Sequence, residues 1–145
     1  MSKTFTLSEA QTLLPVLEAL LKRAQQAGRR AAELGFEMQQ LSQRIFFAGG
    51  MHVDVVRAAR RRAEREKALK EATDTVAEIG EIGVQVKDLE QGLLDFPCML
   101  EGRTVLLCWK LGEKEIGYWH TEEDGFAGRK PLDVRFGKTE KERLN

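Results

Sequence analysis

Tyrosine, tryptophan, cysteine and histidine are all scarce in this chain: one, two, two and two among 145 residues. Two cysteines cannot build the disulfide framework of a small secreted scaffold, so Cys98 and Cys108 read as thiols. Proline is equally thin, with three residues, which leaves room for long uninterrupted helices. No apolar run approaches the roughly 20 residues that span a bilayer. Met1–Leu7 lacks the basic start and apolar core of a secretory signal. The expectation is a cytoplasmic protein that makes no membrane contact. An excess of one charge is also missing, because Lys+Arg and Asp+Glu stand at 23 each. That balance argues against non-specific nucleic-acid binding as the main role. What remains is ordinary apolar content of 42% and a high charged fraction of 32%. Together they describe one domain's length of chain with long solvated helices.

The first half reads as a helical hairpin. Leu13, Leu17, Leu20, Ala24, Ala27, Ala31, Leu34, Met38, Leu41 and Ile45 recur at spacings of four and three, a coiled-coil-like seam. Thr6 with Glu9, or Ser8 with Gln11, offers a capping box at its start. Pro15 falls inside the pattern and predicts a kink or a restart. Gly49-Gly50 closes this helix, and Asp54 can cap a second. The second seam, Val55, Ala58, Arg62, Arg65, Leu69, Ala72, Val76 and Ile79, is interrupted by two arginines. The helices are expected at about 8–47 and 54–81, within a hairpin spanning 1–82.

The period then changes. Val84–Lys87, Leu93–Phe96, Arg103–Trp109 and Ile116–His120 read as short strands separated by turn signals at Gly92, Glu101-Gly102 and Gly112-Glu113. The expected fold class is α+β: a long antiparallel helical hairpin with a small antiparallel β-sheet, residues 83–134, at its open end, and a polar tail over 135–145.

The scarce residues gather between Cys108 and Lys130. Such density suggests a site, because Trp, Tyr, His and Cys combine apolar contact with hydrogen bonding or proton transfer. Whether Cys108 and His120 meet depends on hairpin register. A five-residue loop over Leu111–Glu115 sets Cys108 opposite Tyr118, with His120 on the same face. A two-residue turn at Gly112-Glu113 sends His120 to the other face. Both registers fit the sequence. His120 followed by Glu122, Glu123 and Asp124 supplies donors that suit a divalent metal ion, with Asp88, Asp95, Cys108, Cys98 or His52 as further donors. The plain alternative is an acidic solvated loop. Asp88 and Asp95, near Lys87, lie where two carboxylates could converge for acid/base work, or simply cap turns. Gly125–Lys130 could form an anion nest with Arg129 and Lys87 as cations, or an ordinary surface turn. Trp109, Tyr118 and Trp119 would serve as pocket walls. The basic run Arg57–Lys67 admits a nucleic-acid reading. However, Arg60–Glu64, Arg62–Glu66, Glu66–Lys70 and Lys67–Glu71 are each four apart and predict intrahelical ion pairs on a solvated face.

The phrases FTLSEAQTLLPVL, GVQVKDLEQGLLDFP, LCWKLGEKEIGYWH and GFAGRKPLD, in this order, resemble the prokaryotic domain-of-unknown-function family 2203 from Phe5 to about Asp133. The resemblance implies a helical N-terminal half and a Trp-His-rich end. It marks Lys87, Asp88, Asp95, Cys108, Trp109, Trp119, His120 and Arg129 as motif positions and brings no activity with it. No catalytic residue set is legible. The sequence therefore predicts an interaction or self-associating scaffold, a homodimer through the helical region, with a protein partner as the other occupant of the seam. The second expectation is a metal- or small-anion-binding protein, and through metal-assisted hydrolysis an enzyme, built around Asp88, Asp95, His120 and Arg129.

Overall fold

The computed structural model describes residues 3–47, 49 and 55–137. The expectations placed on His52, on an Asp54 cap and on the tail beyond residue 137 lie outside them. Helix α1 runs Leu7–Phe47 and α2 runs Val55–Ile82; strands follow as β1 Gln85–Asp88, β2 Leu93–Leu100, β3 Arg103–Lys110, β4 Tyr118–His120 and β5 Lys130–Pro131. The chain is α+β. It divides into two compact units, residues 22–75 and the combination of 1–21 with 76–145. The division falls within the helices rather than at the change of period near residue 82.

In the helical unit, Arg23 pairs with Glu71, Arg30 with Glu64, and Glu37 with Arg61. Rising numbers on α1 meet falling numbers on α2, so the two helices run antiparallel. Ala24, Ala27, Ala31 and Leu34 are buried, as the seam predicts. On α2 the inward register differs from the expected one. Ala68 and Thr75 are buried while Leu69 is 41% exposed. Arg62 and Arg65 do not interrupt the seam: both are exposed, and Arg65 extends across Gly35, whose missing side chain makes room for it. The four expected intrahelical ion pairs do not form. The carboxylates Glu64 and Glu71 reach across to α1, and Lys70 turns to Asp74 instead.

In the other unit, α1 begins on the Thr6–Glu9 capping box. Glu9 N–H donates to Thr6 Oγ1 at 3.1 Å and Thr6 N–H donates to Glu9 Oε1 at 2.9 Å. The helix passes through Pro15 without a restart. Pro15 lies in the third turn on the exposed side, where the carbonyl left without its N–H donor is inexpensive to solvate. Gly83, with φ +107°, ends α2; a side chain there would meet Lys3 and Phe5 at 3.2 Å. The five strands form one antiparallel meander in the order β1-β2-β3-β4-β5. A two-residue turn with φ 51° at Glu101 and 77° at Gly102 joins β2 to β3. Two positive φ values match the twist of a tight hairpin and explain glycine at the second position. The β2–β3 hairpin is longer than the sequence implied, and β5 was not foreseen because Lys130-Pro131 reads as a turn.

Alternation along the strands sorts the side chains. Leu94, Phe96, Cys98 and Leu100 on β2, Val105, Leu107 and Trp109 on β3, and Trp119 on β4 join Phe5, Ala10, Leu14, Leu17, Leu21, Ile79 and Val84 in one hydrophobic core. Asp95, Leu106, Cys108, Tyr118 and His120 belong to the opposite face by the same alternation.

Candidate metal centre

The outer face of a small sheet usually meets water, yet here its centre is buried. Asp95 and His120 are each 3% exposed and Cys108 is 1% exposed. Three adjacent strands bring them together. Asp95 lies directly opposite Cys108 in the β2–β3 pairing; Cys108 lies opposite Tyr118, and Leu106 opposite His120, in the β3–β4 pairing. Of the two registers open in the sequence, the five-residue loop is the one realised. Glu113 explains the choice: Trp109 Nε1–H donates to its carbonyl at 2.9 Å, and its carboxylate accepts Lys110 N–H at 2.7 Å. Beyond the loop, the Gln11 side-chain amide pairs with the backbone of Ile116, giving and taking one hydrogen bond, and so fixes where β4 enters.

The donor atoms of Asp95, Cys108 and His120 all lie within 4.8 Å of one another. His120 Nε2 stands 3.0 Å from Asp95 Oδ2, and Nδ1 stands 2.7 Å from the carbonyl oxygen of Thr121. A carbonyl only accepts, so Nδ1 carries a proton and donates it. Nε2 then faces the Asp95 carboxyl as the second N–H of an imidazolium, as the acceptor of a proton held by Asp95, or as a lone pair with a cation between it and the oxygen. Cys108 is held as a neutral thiol. Burial, followed by the negative charge of Asp95, pushes its pKa from 9.0 to about 11, against the opposing pull of the nearby Arg129. A thiol–imidazole nucleophile is poorly served here: both ring nitrogens are engaged elsewhere and the thiol is hard to ionise.

A cavity of about 200 Å³ opens over these residues, lined by Leu93, Leu106 and Phe126 and rimmed by Lys87, Glu122, Glu123 and Asp124. Glu122 therefore stands at the rim, exposed. Asp88 is not part of the cluster: its carboxylate accepts Gln91 N–H at 2.9 Å and caps the β1–β2 turn. The convergence of Asp88 with Asp95 does not occur, because Asp95 pairs with Gln85 on β1 and the strand bulges before Asp88. Arg129 is committed elsewhere as well. It forms an ion pair with Glu113 at 3.1 Å, and its guanidinium lies 3.9 Å from the Tyr118 ring centre and 4.3 Å from that of Phe126. This stacking ties the 126–129 segment to β4, with the Nη1 end of the guanidinium held by Glu113. Tyr118 is thus a neighbour of the site, whereas Trp109 and Trp119 belong to the core on the other side of the sheet. Parity along the strands excludes both as walls. The Trp119 indole nitrogen is buried with no acceptor among the described residues, and its ring packs on Phe136 and lies near the cations of Lys130 and Arg135.

Two functional interactions escaped the sequence reading. Thr121 orients the imidazole through its carbonyl, and Glu113 holds Arg129 from sixteen residues away. A backbone acceptor has no residue signature, and the ion pair depends on the loop that the sequence left undecided.

Residues 3–132 match the family described as an uncharacterized conserved protein, DUF2203, and the chain belongs to that family. Comparison with curated proteins and with solved structures returned no match.

Proposed function

We propose that this DUF2203 protein binds a divalent transition-metal ion, zinc first, through Asp95, Cys108 and His120. The observation that carries the reading is the engaged Nδ1 of His120, which leaves Nε2 aimed at a buried carboxylate 3.0 Å away beside a thiol. A carbonyl on the far nitrogen is the usual means of fixing an imidazole for metal ligation. Donors sharing a tetrahedral zinc stand about 3.3–3.8 Å apart, from bond lengths of roughly 2.0–2.3 Å. The three donor atoms, all within 4.8 Å of one another, lie close to that spacing. A mixed sulfur, nitrogen and oxygen set suits zinc, cobalt or nickel better than magnesium or calcium. A metal would convert the Cys108 thiol to thiolate. With three protein donors, a metal would keep one position open for water and would polarise it. The acidic rim of Glu122, Glu123 and Asp124 would draw cations towards it.

Elemental analysis of the purified protein beside a His120→Ala variant tests the reading. Near-stoichiometric metal in the parent and its loss in the variant are expected; equal metal in both, or none in the parent after dialysis against zinc, would refute it.

The scaffold reading has a narrower footing. Ala24, Ala27, Ala31 and Leu34 of the seam are already buried within the hairpin. A homodimer through the helical region would therefore use the apolar residues left exposed, Phe36, Phe46, Phe47, Val55 and Val56. Light scattering at high concentration would detect it.

A further inference from the structure

The zero net charge of the chain hides a separation of charge between its units. Residues 22–75 hold twelve of the 23 Lys/Arg and seven of the 23 Asp/Glu, a net +5; the rest of the chain, with eleven and sixteen, carries −5. Within the basic unit Glu71, Glu64 and Glu37 are taken by cross-helix pairs with Arg23, Arg30 and Arg61, and Asp74 by Lys70. Arg29, Arg44, Arg60, Arg62 and Lys67 are exposed and make no ion pair with any described residue. Cations gather at one end of the hairpin. Arg44 of α1 and Arg57 and Arg61 of α2 line a single cleft of about 250 Å³ with Glu37, Gln40 and Leu41. At the same end, the α1 terminus presents the rings of Phe46, 79% exposed, and Phe47, 83% exposed, edge to face at 5.7 Å.

Exposed phenyl rings at the same end of the hairpin as Arg44, Arg60 and Arg62, which make no ion pair with a described residue, combine the two elements that hold unpaired nucleotides. Cations follow the phosphates, and rings stack on base faces without reading their edges. A duplex would offer the cations the same phosphates but would keep its bases away from the rings. We infer that the basic end of the helical hairpin, around Arg44, Arg60, Arg62, Phe46 and Phe47, binds single-stranded nucleic acid through its phosphates and base faces, with little sequence preference. This surface is separate from the metal site, and neither reading depends on the other. RNA and DNA share the chemistry, and a side-by-side comparison separates them.

The test is fluorescence anisotropy of the whole protein with labelled 20-nucleotide single strands of RNA and of DNA, and with the corresponding duplexes, from about 25 to 200 mM salt. Single strands are expected to bind more tightly than duplexes, with affinity falling steeply as salt rises. Arg44→Gln/Arg60→Gln/Arg62→Gln should flatten the slope of log affinity against log salt by about 2, at roughly 0.7 for each phosphate no longer neutralised. Phe46→Ala/Phe47→Ala should lower single-strand affinity about tenfold while leaving that slope in place. All five side chains are exposed, and unchanged circular dichroism with unchanged metal content in both variants verifies the fold. No binding at low salt, equal affinity for duplex and single strand, or parental affinity in the phenylalanine variant would each overturn the inference. So would a concentration-dependent dimer of the parent that the phenylalanine variant abolishes, because those rings would then be covered by a second copy.

Discussion

Cys98 and Cys108 sit on neighbouring strands of one sheet, are buried equally at 0% and 1%, and have opposite surroundings. Cys98 faces the apolar core with Leu94, Phe96 and Leu100. Cys108 faces Asp95 and His120 beneath an acidic rim. Burial alone therefore says little about a role; the parity of the strand decides it. One face of this sheet encloses hydrocarbon, as a small α+β core must. The other buries a carboxylate, an imidazole and a thiol, which costs free energy unless hydrogen bonds or a bound ion compensate. Retaining such groups on a face that could have been apolar is the physical reason for reading it as a site.

The sharpest way to separate the faces is to damage the core alone. Leu107→Ala, fully buried on the inner face, should cost about 3 kcal/mol in urea unfolding through reduced transfer energy and a cavity. Metal affinity should stay within about twofold, since no donor moves. A parallel loss of affinity would mean the two faces are not independent. Arg129→Gln probes the outer face by removing the cation beside the proposed donor Cys108. It removes the Glu113 pair and the stacking on Tyr118 and Phe126, and should cost roughly 1–2 kcal/mol. Hydrogen exchange should then quicken over residues 121–129 and stay unchanged in β2. Thr6→Ala touches neither face and should cost only about 1 kcal/mol in thermal unfolding, the usual loss for a helix cap.

The pH dependence of Cys108 sharpens the same comparison. Folding raises its pKa from 9.0 to about 11, so the native state favours the neutral thiol. That contribution to stability is complete below pH 9 and is lost as pH rises through about 11. In a Cys98→Ala background without metal, alkylation of the folded protein should be slow at neutral pH and accelerate towards pH 11. A rate already saturated at pH 8 would contradict the burial of this thiol.

Much of the fold was legible because local signals agreed with one another. The seam at Leu17–Leu34, the Thr6–Glu9 box and the Glu101-Gly102 turn are each written in neighbouring residues. The inward face of α2 was misjudged by one position at Leu69 and Val76, though Ile79 is buried as expected, since arginines long enough to lie over Gly35 can occupy seam-adjacent positions without entering the core. Asp95, Cys108 and His120 were visible as chemistry-bearing residues. Their meeting was not, because a one-residue change in the Leu111–Glu115 loop exchanges the faces of β4. That register rests on the Glu113 hydrogen bonds inside the loop together with the amide of Gln11 on Ile116, a contact between distant parts of the chain that no local pattern reveals. The same limit hid Arg60, whose expected partner Glu64 is taken by Arg30 of the opposite helix.

Cobalt(II) absorption addresses the central claim most directly, because a thiolate ligand adds a near-ultraviolet charge-transfer band and a tetrahedral site gives strong visible bands. The titration is run on the parent, on Cys108→Ser and on Cys98→Ser. The account predicts both sets of bands in the parent and in Cys98→Ser, and no charge-transfer band in Cys108→Ser. A charge-transfer band that survives in Cys108→Ser, or its absence from the parent at saturating cobalt, would contradict a metal centre on the outer face of the sheet.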